Sequence, residues 1–237
     1  MRLGIMQPYF MPYLGYFSLI KNTDEFILFD TVQFIRHGWI ERNRILKPSG
    51  GWQYFQVPII KENGRETVIK NVRINNSENW KSKILAQLQH YKKKAPYYKV
   101  VIELLSDVFN SDYSDIVSLN KVSLERICKY LGIDREIIVF SEMCLDIAPV
   151  TAPDEWALNI CKAMGEVDEY WNPVGGLSFF DKSKYYNAGI NLYFQEMVLT
   201  PYRQLGNEFE SGMSIIDVMM FNSPESINEM LDNFKLL

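Results

Sequence analysis

Side chains suited to ligand binding and proton transfer crowd into the fifteen positions that follow the second apolar run, residues 26–29. A hydrophobic core does not use such a set, whereas the carboxyl ends of strands in α/β proteins are where ligands bind. The sequence therefore predicts a site here, built from Asp30, Gln33, His37, Trp39, Arg42, Asn43 and Arg44.

The acid–base candidates in this set are Asp30 and His37. Asp30 ends the predicted strand, where a carboxylate can be a general base, a metal ligand or the cap of the next turn. His37 is the better placed of the two histidines, because His90 falls within a predicted helix beside a lysine-rich end. Either residue could therefore act as the base.

Arg42 and Arg44 flank Asn43 with the spacing that puts two side chains on one side of an extended segment. Two guanidinium groups on one side suit bidentate binding of a phosphate or a carboxylate. The alternative is a pair of surface arginines with acidic partners.

The N-terminal loop is the second part of the predicted site. The first apolar run ends at Gln7-Pro8, and a loop with two prolines precedes Gly15, where a helix is expected to begin. The aromatic residues of this region could form a stacking wall for a sugar or a nucleobase, or could belong to the core. They are Tyr9, Tyr13, Tyr16, Trp39 and Trp52.

Three further patterns have both a structural and a functional interpretation. The turn at residues 172–176, with Gly175 and Gly176, could let the backbone approach a phosphate or simply reverse the chain. Asp217 could close a capping box with Ser214 or serve in catalysis. Residues 92–94, three lysines, are either a solvated helix end that complements the macrodipole or a docking patch for an acidic partner or a phosphate.

Composition excludes several functional classes. With 25 basic and 29 acidic residues, the net charge of -4 gives no general attraction to nucleic acid, so we expect no nucleic acid partner. The three cysteines are widely spaced and form no zinc pattern, so we expect reduced thiols and no metal. No export signal and no membrane span is recognisable, which predicts a cytoplasmic protein. Nucleophile-elbow, Walker and dinucleotide-binding motifs are absent from the sequence.

The apolar periodicity predicts an open, mostly parallel α/β sheet in a single domain over residues 1–237. A helical region is expected to be inserted at residues 77–132, and a β-hairpin is expected to pair residues 52–60 with 67–74 around Asn63-Gly64. A terminal helix is expected to include Phe234. The remaining strands are predicted at 2–6, 26–29, 136–140, 169–171 and 190–194, and helices at 15–21, 77–96, 96–109, 114–131, 153–164 and 181–187.

At these residues the chain closely resembles the WbqC-like family of bacterial proteins. The resemblance covers most of the chain, and its most specific part is the N-terminal block. The matching segments are Met6-Gln7-Pro8-Tyr9-Phe10-Met11-Pro12-Tyr13-Leu14-Gly15-Tyr16, Asp30-Thr31-Val32-Gln33-Phe34, Gly38-Trp39-Ile40, Arg42-Asn43-Arg44-Ile45, residues 91–97, Asn172-Pro173 with Gly175-Gly176, Tyr202 with Gln204, and Ser214-Ile215-Ile216-Asp217.

The resemblance implies a role in O-antigen or other surface polysaccharide biosynthesis, since members are typically encoded among such genes. It implies N-acylation of a nucleotide-linked amino sugar, with an acyl or aminoacyl group such as glycyl coming from a carrier-protein thioester and no further cofactor. Asp30 or His37 would then be the base, and Tyr9 or Tyr13 would stabilise the oxyanion. The substrate would be bound by Gln7, Gln33, Trp39, Arg42, Asn43, Arg44, Asn172, Gly175, Gly176, Tyr202 and Gln204.

A more distant resemblance is to HUP-type nucleotidyltransferases and ligases, which share the order of strand, loop, glycine, helix and strand. Their HxGH motif corresponds here to residues 13–16, in which Gly15 remains and tyrosines replace both histidines. Neutral tyrosines do not supply cationic donors to a departing pyrophosphate. A HUP/Rossmann-like fold is therefore expected, with HUP-type catalysis and a non-catalytic sugar-nucleotide-binding partner as the alternative functions.

Overall fold

The computed structural model describes residues 1–60, 67–206 and 208–237. Its centre is a six-stranded sheet in the order β5-β2-β1-β6-β7-β8. Every pairing is parallel except that of β7 with β8, so the predicted mostly parallel α/β sheet is confirmed. The strands are β1 (Arg2–Met6), β2 (Glu25–Leu28), β5 (Ile137–Val139), β6 (Glu169–Pro173), β7 (Asn191–Met197) and β8 (Phe234–Leu236).

β1 is one of the two central strands of the sheet, and both of its faces are covered by other parts of the chain. Leu3 and Ile5 pack on one face of the sheet. Gly4 points to the other face, where an added Cβ would lie 3.0 Å from the Phe26 ring and 3.3 Å from Leu19 Cγ. The glycine therefore lets the first helix, α1 (Leu14–Asn22), pack closely against the strand.

Helices cover both faces of the sheet. Core residues of α1, α3, α4, α7 and α8 form one hydrophobic cluster, and those of α5 and α6 form the other. The helices of the predicted inserted region are α2 (Trp80–Gln87), α3 (Tyr98–Asn110) and α4 (Ile116–Leu131). The others are α5 (Glu155–Met164), α6 (Lys182–Asn187), α7 (Ile215–Phe221) and α8 (Pro224–Leu231).

Helix α2 is shorter than the sequence predicted. It begins after Asn79 rather than at Ser77, and it ends at Gln87, where a 3-10 turn over Gln89–Tyr91 takes over. The lysines at 92–94 consequently lie in the connection to α3. Gly132 closes α4 in a left-handed conformation, as expected.

The chain does contain a β-hairpin, but the predicted pairing of 52–60 with 67–74 is wrong. β3 (Arg42–Leu46) pairs with β4 (Trp52–Gln56) through a turn in which Gly50 and Gly51 have positive φ. Between the two segments that were expected to pair, the structure has an isolated bridge from Ile59 to Ile74. The predicted Asn63-Gly64 turn lies outside the described residues.

The C-terminal segment also differs from the prediction. α8 ends at Leu231, and Phe234 begins strand β8 instead of continuing the helix. Phe194 and Leu237 exchange backbone hydrogen bonds at 3.0 Å, which attaches this strand to the edge of β7.

The strand order creates a topological switch point between β1 and β6. From β1 the chain builds outward to β2 and β5 on one side, and later to β6 and β7 on the other. The carboxyl ends of the parallel strands meet at one edge of the sheet, and the loops that leave neighbouring strands diverge there. Ligands of open α/β sheets bind at such a point.

Candidate functional site

The end of β6 forms one side of the switch point, and its local geometry depends on Gly176. Tyr170 donates to Asn172 Oδ1 at 3.1 Å, and Asn172 Nδ2 donates to the Pro173 carbonyl at 2.9 Å. A Cβ added to Gly176 would lie 2.1 Å from Asn172 Nδ2, whereas one added to Gly175 would meet open space. The predicted substrate-binding residues of this turn thus form one compact backbone turn.

An open cleft of about 270 Å³ lies at the same edge of the sheet. We call it the aromatic cleft. Its walls come from the loop after β1, from β3 and the residues before it, and from segments that follow β7. The lining residues are Tyr9, Pro12, Tyr13, Trp39, Asn43, Arg44, Leu199 and Gly212.

Hydrogen bonds from the backbone and from one side chain join the loop after β1 to the hairpin side of the aromatic cleft. The Phe10 N–H donates to the Trp39 carbonyl at 2.9 Å, and Asn43 Nδ2 donates to the Phe10 carbonyl at 3.1 Å. Tyr16 is fully buried and donates to the Gln7 carbonyl at 2.8 Å. Asn43 therefore positions the loop. Its role in substrate binding stays a prediction.

Tyr9 and Tyr13 line the aromatic cleft, and the ring and hydroxyl group of Tyr13 lie against Gly15. Burial raises the pKa of both tyrosines, so both stay protonated at neutral pH. A protonated phenol donates hydrogen bonds and is a poor base. The two residues therefore suit the predicted stabilisation of an oxyanion.

Arg44 supplies the cation of the aromatic cleft. Its Nη2 donates to the Gly212 carbonyl at 3.0 Å, and its Cζ lies 5.4 Å from the Trp39 ring centre and 5.1 Å from that of Trp52. Its Nε is buried and has no acceptor among the described residues. The guanidinium therefore has one donor without a described acceptor, and this nitrogen is shielded from solvent.

Arg42 lies on the same face of the hairpin but has other partners. Its guanidinium donates to the carbonyls of His37 and Gly38 and lies 3.9 Å from the Tyr54 ring centre. Cation–π contacts and carbonyl acceptors hold it away from the aromatic cleft. The structure does not bring the two arginines together on one anion, and it leaves Arg44 as the one that lines the aromatic cleft.

His37 is exposed in a strained turn beside these residues. Its φ of 61° is left-handed, and its N–H donates to Glu41 Oε1 at 2.6 Å. Glu41 is buried, and burial raises the pKa of its carboxyl group. Glu41 was not predicted from the sequence, since nothing in its spacing separates it from an ordinary surface glutamate.

Asp30 is almost completely buried and binds another loop. Its carboxylate accepts from the Ser141 N–H at 3.0 Å and from Ser141 Oγ at 2.6 Å, which ties the end of β2 to the residues after β5. Gln33 is exposed and forms a backbone bridge with Val68. Neither Asp30 nor Gln33 lines the aromatic cleft.

A buried hydrogen-bond network surrounds Asp217. Its Oδ1 accepts from Tyr91 at 2.7 Å, and its Oδ2 accepts from Tyr202 at 2.7 Å and from Gln204 at 2.9 Å. Burial raises the pKa of Asp217 and, together with the nearby carboxylate, raises those of Tyr91 and Tyr202. The predicted binding residues Tyr202 and Gln204 thus serve here as partners of Asp217.

The capping-box interpretation of Asp217 is wrong, because the Ser214 N–H donates to the Arg44 carbonyl at 3.0 Å instead. Ser214 does cap α7, and its Oγ also donates to the Met11 carbonyl at 2.7 Å. The Ile215 N–H donates to the Pro12 carbonyl. Residues 212–217 therefore fasten together both walls of the aromatic cleft.

A second cleft, of about 510 Å³, lies farther along β3. We call it the lysine cleft. It lies between the hairpin turn, the 3-10 turn that contains His90, and residues close to Gln204. Its lining includes Leu46, Lys47, His90, Lys94, Leu205 and Glu210.

The described residues contain neither a metal-binding cluster nor a membrane-spanning helix. No group of histidine, cysteine and carboxylate side chains there is arranged to hold a metal ion. No helix in the described ranges is long and apolar enough to cross a membrane.

Comparison with known proteins agrees with the resemblance noted from the motifs. A curated relative, "Uncharacterized protein Rv1507c" of Mycobacterium tuberculosis, is 27% identical over 223 residues, which covers 93% of each chain. No solved structure gives a significant match. The model of the WbqC-like protein family matches residues 7–229, which include both walls of the aromatic cleft and the Asp217 network. The chain thus belongs to the WbqC-like protein family.

Proposed function

We propose that the protein transfers an acyl or aminoacyl group, such as glycyl, from a carrier-protein thioester to the amino group of a nucleotide-linked amino sugar. The step would belong to the cytoplasmic stage of O-antigen or other surface polysaccharide biosynthesis. The observation that carries the proposal is Arg44, held between Trp39 and Trp52 beside a cleft walled by tyrosines. Flat aromatic walls beside a cation suit a ligand that combines rings with a phosphate.

The reaction needs one base and one oxyanion donor. The sugar amine loses a proton and attacks the thioester carbonyl, the C–N bond forms, the C–S bond breaks, and the thiolate leaves and takes up a proton. His37 is the exposed candidate for the base; it precedes Trp39 of the cleft wall by two residues and does not itself line the aromatic cleft. Tyr9, Tyr13 or a backbone amide donates to the oxyanion. Asp30 is less suited to the role of base because both of its oxygens are bound to Ser141.

The direct test is incubation of the protein with glycyl-loaded carrier protein and a dTDP-linked 4-amino sugar. Mass spectrometry should find the nucleotide sugar heavier by one glycyl group, and heat-inactivated protein provides the control. Absence of any amide product across a panel of amino sugars and acyl thioesters would refute the proposal.

A non-catalytic role in binding a sugar nucleotide is the second candidate. The engagement of Asp30 by Ser141 favours it, since a carboxylate expected to act in catalysis is committed to a structural bond. In that case, His37→Ala and Asp30→Asn should leave polysaccharide modification in cells unchanged. The transferase proposal expects His37→Ala to lower kcat strongly while the affinity for the nucleotide sugar is preserved.

HUP-type nucleotidyl transfer has less support. Tyr16 stands in place of the second histidine of the motif, and its hydroxyl is fully buried on the Gln7 carbonyl. Release of pyrophosphate from ATP by the purified protein would reverse this ranking.

A further inference from the structure

The three consecutive lysines at 92–94 have no structural explanation in the helix that precedes them. α2 ends at Gln87 and has no basic residue in its last turn, so the lysines do not complement its macrodipole. All three are exposed, and none forms an ion pair with the described residues. Because the chain has a net charge of -4, this is a local positive patch on an acidic protein.

The patch adjoins the lysine cleft. Lys94 lines that cleft and donates to the Leu205 carbonyl at 3.2 Å, and Lys47 lines it from the hairpin turn. His90 also faces it, with Nε2 2.9 Å from the Leu46 carbonyl. The cleft also contains two carboxylates, Glu208 and Glu210, which offset the charges of Lys47 and Lys94, so the excess of positive charge on this face comes from Lys92 and Lys93 beside the cleft.

The lysine cleft and the aromatic cleft are neighbours on two separate segments. Along β3, Arg44 lines the aromatic cleft and Leu46 lines the lysine cleft. On the segment that precedes α7, Glu210 lines the lysine cleft and Gly212 lines the aromatic cleft. Two residues of extended chain span about 7 Å. The residues that line the two clefts are therefore close together along each segment, with the Asp217 network between the clefts.

The Asp217 network holds the wall between the two clefts. Tyr91, bound to Asp217, accepts the Leu46 N–H at 2.9 Å. Gln204, also bound to Asp217, accepts the Glu210 N–H at 2.8 Å. One buried carboxylate thus fixes both segments that the clefts share.

We propose that Lys47 and the lysines at 92–94 form the docking surface for the acidic carrier protein that holds the thioester. The bound carrier presents its thioester along the lysine cleft to an amino sugar in the aromatic cleft. This inference rests on the proposed function and assigns the side from which the donor enters. Opposite charges on the two proteins accelerate encounter and orient docking.

Docking is tested first by binding alone. Fluorescence anisotropy of a labelled carrier protein is measured against the wild type, the Lys92→Glu/Lys93→Glu double variant and the control variant Lys162→Glu. Lys162 is exposed on α5, which packs on the other face of the sheet. We expect the double variant to bind about tenfold more weakly, the control to bind like the wild type, and added salt to weaken wild-type binding. Equal binding by the double variant and the wild type would overturn the proposal.

A second measurement compares two donors and separates docking from catalysis. Transfer is assayed with glycyl-loaded carrier protein and with glycyl-pantetheine, which presents the same thioester without the protein. The double variant should raise KM about tenfold for the carrier and leave transfer from glycyl-pantetheine unchanged. Equal losses with both donors would contradict docking at the lysines. If neither donor yields product, the proposed reaction is refuted and the binding measurement alone decides whether the carrier docks here.

A third outcome concerns phosphate chemistry. If a single-stranded RNA oligonucleotide binds the wild type more tightly than the carrier does at the same salt concentration, and loses that binding in the double variant, the patch recognises phosphates and the proposal fails.

Discussion

Arg44 combines two kinds of interaction with one nitrogen that has no described acceptor. It donates to a backbone carbonyl, lies against two indole rings, and keeps a buried Nε without a described acceptor. A guanidinium differs from an ammonium in its planar fork of donors and its stacking on aromatic faces. Charge alone would therefore not reproduce the ligand contacts that we predict for Arg44.

Replacing Arg44 with lysine keeps the charge and removes the fork. We expect Arg44→Lys to bind a dTDP-linked amino sugar about tenfold more weakly or worse, because neither stacking nor bidentate contact survives. Isothermal titration calorimetry measures the change, with Arg36→Lys as an exposed control that does not line the aromatic cleft. Unchanged affinity in Arg44→Lys would remove Arg44 from the ligand site.

Asp217 makes a pH-dependent contribution to stability. Burial raises its pKa, so the folded protein holds this proton more tightly than the unfolded chain does. The stability contributed by this group is therefore greatest at low pH and falls as the pH rises from the ordinary aspartate value through the raised pKa.

We expect Asp217→Asn to be less stable than the wild type by about 1–3 kcal/mol near pH 4, because it disturbs a buried network. The gap should narrow as the pH rises, since the variant has no carboxylate to ionise. Urea unfolding at a series of pH values measures it, with Asp134→Asn at an exposed aspartate as the control. A gap that widens with pH would contradict the assigned direction of the pKa shift.

At the level of elements, the turn after β6 packs its backbone closely against a neighbouring side chain. The turn after β6 leaves no room for a side chain at Gly176, while the neighbouring Gly175 faces open space. Neither glycine has positive φ, so the two positions differ in contact rather than in backbone strain.

This difference gives a matched pair of variants. Gly176→Ala should cost about 1–3 kcal/mol, because its methyl group would displace the Asn172 amide from its hydrogen bonds. Gly175→Ala should stay within about 0.5 kcal/mol of the wild type. Denaturant unfolding compares them, and equal stabilities would show that the turn adapts without cost.

The elements that could be predicted from the sequence are those with a strong local signal. The apolar runs of β1 and β2 and the glycine stop of α4 were recognisable because each signal lies within its own segment. The hairpin was assigned to the wrong partners because Asn63-Gly64 gave a stronger turn signal than residues 47–51. β8 was missed because it is a strand only through its pairing with β7.

Some residues of the candidate site could be predicted from the sequence, and others could not. Tyr9, Tyr13, Trp39 and Arg44 were expected, and the structure brings them together in one cleft. Leu199 and Gly212 complete that cleft, yet neither differs locally from an ordinary loop residue. Contacts between positions far apart in sequence decide such roles, and a single sequence does not record them.

At the scale of the whole molecule, the first strand of the chain is the centre of the sheet. β1 pairs with β2 nearby in sequence and with β6 about 167 residues later, as the N-terminal ammonium does with Asp168. Pairing over so long a loop forms slowly, because the chain loses conformational entropy when the loop closes before the strand contacts stabilise it. The helices α3 and α4 lack this constraint, since they are adjacent in the chain.

Pulse-labelling hydrogen exchange during refolding should therefore protect the amides of α3 and α4 before those of β6. The order follows from the sequence separation of the contacts in each region. Mass spectrometry of peptides from quenched samples measures it, with fully folded protein as the reference. Simultaneous protection of both regions would instead indicate a single late folding step.

The fastening of residues 212–217 onto the N-terminal loop has a consequence during protein synthesis. The ribosome releases the loop and β3 long before Ser214 and Asp217 have been translated, so the contacts of residues 212–217 with both walls of the aromatic cleft form only after the residues between Arg44 and Ser214 have been made. A truncated translation product that stops before Ser214 keeps the hydrogen bonds of Phe10 with Trp39 and Asn43 but lacks those from Ser214 and Ile215 to the loop. We therefore expect the aromatic cleft to be complete only after residues 212–217 have been made.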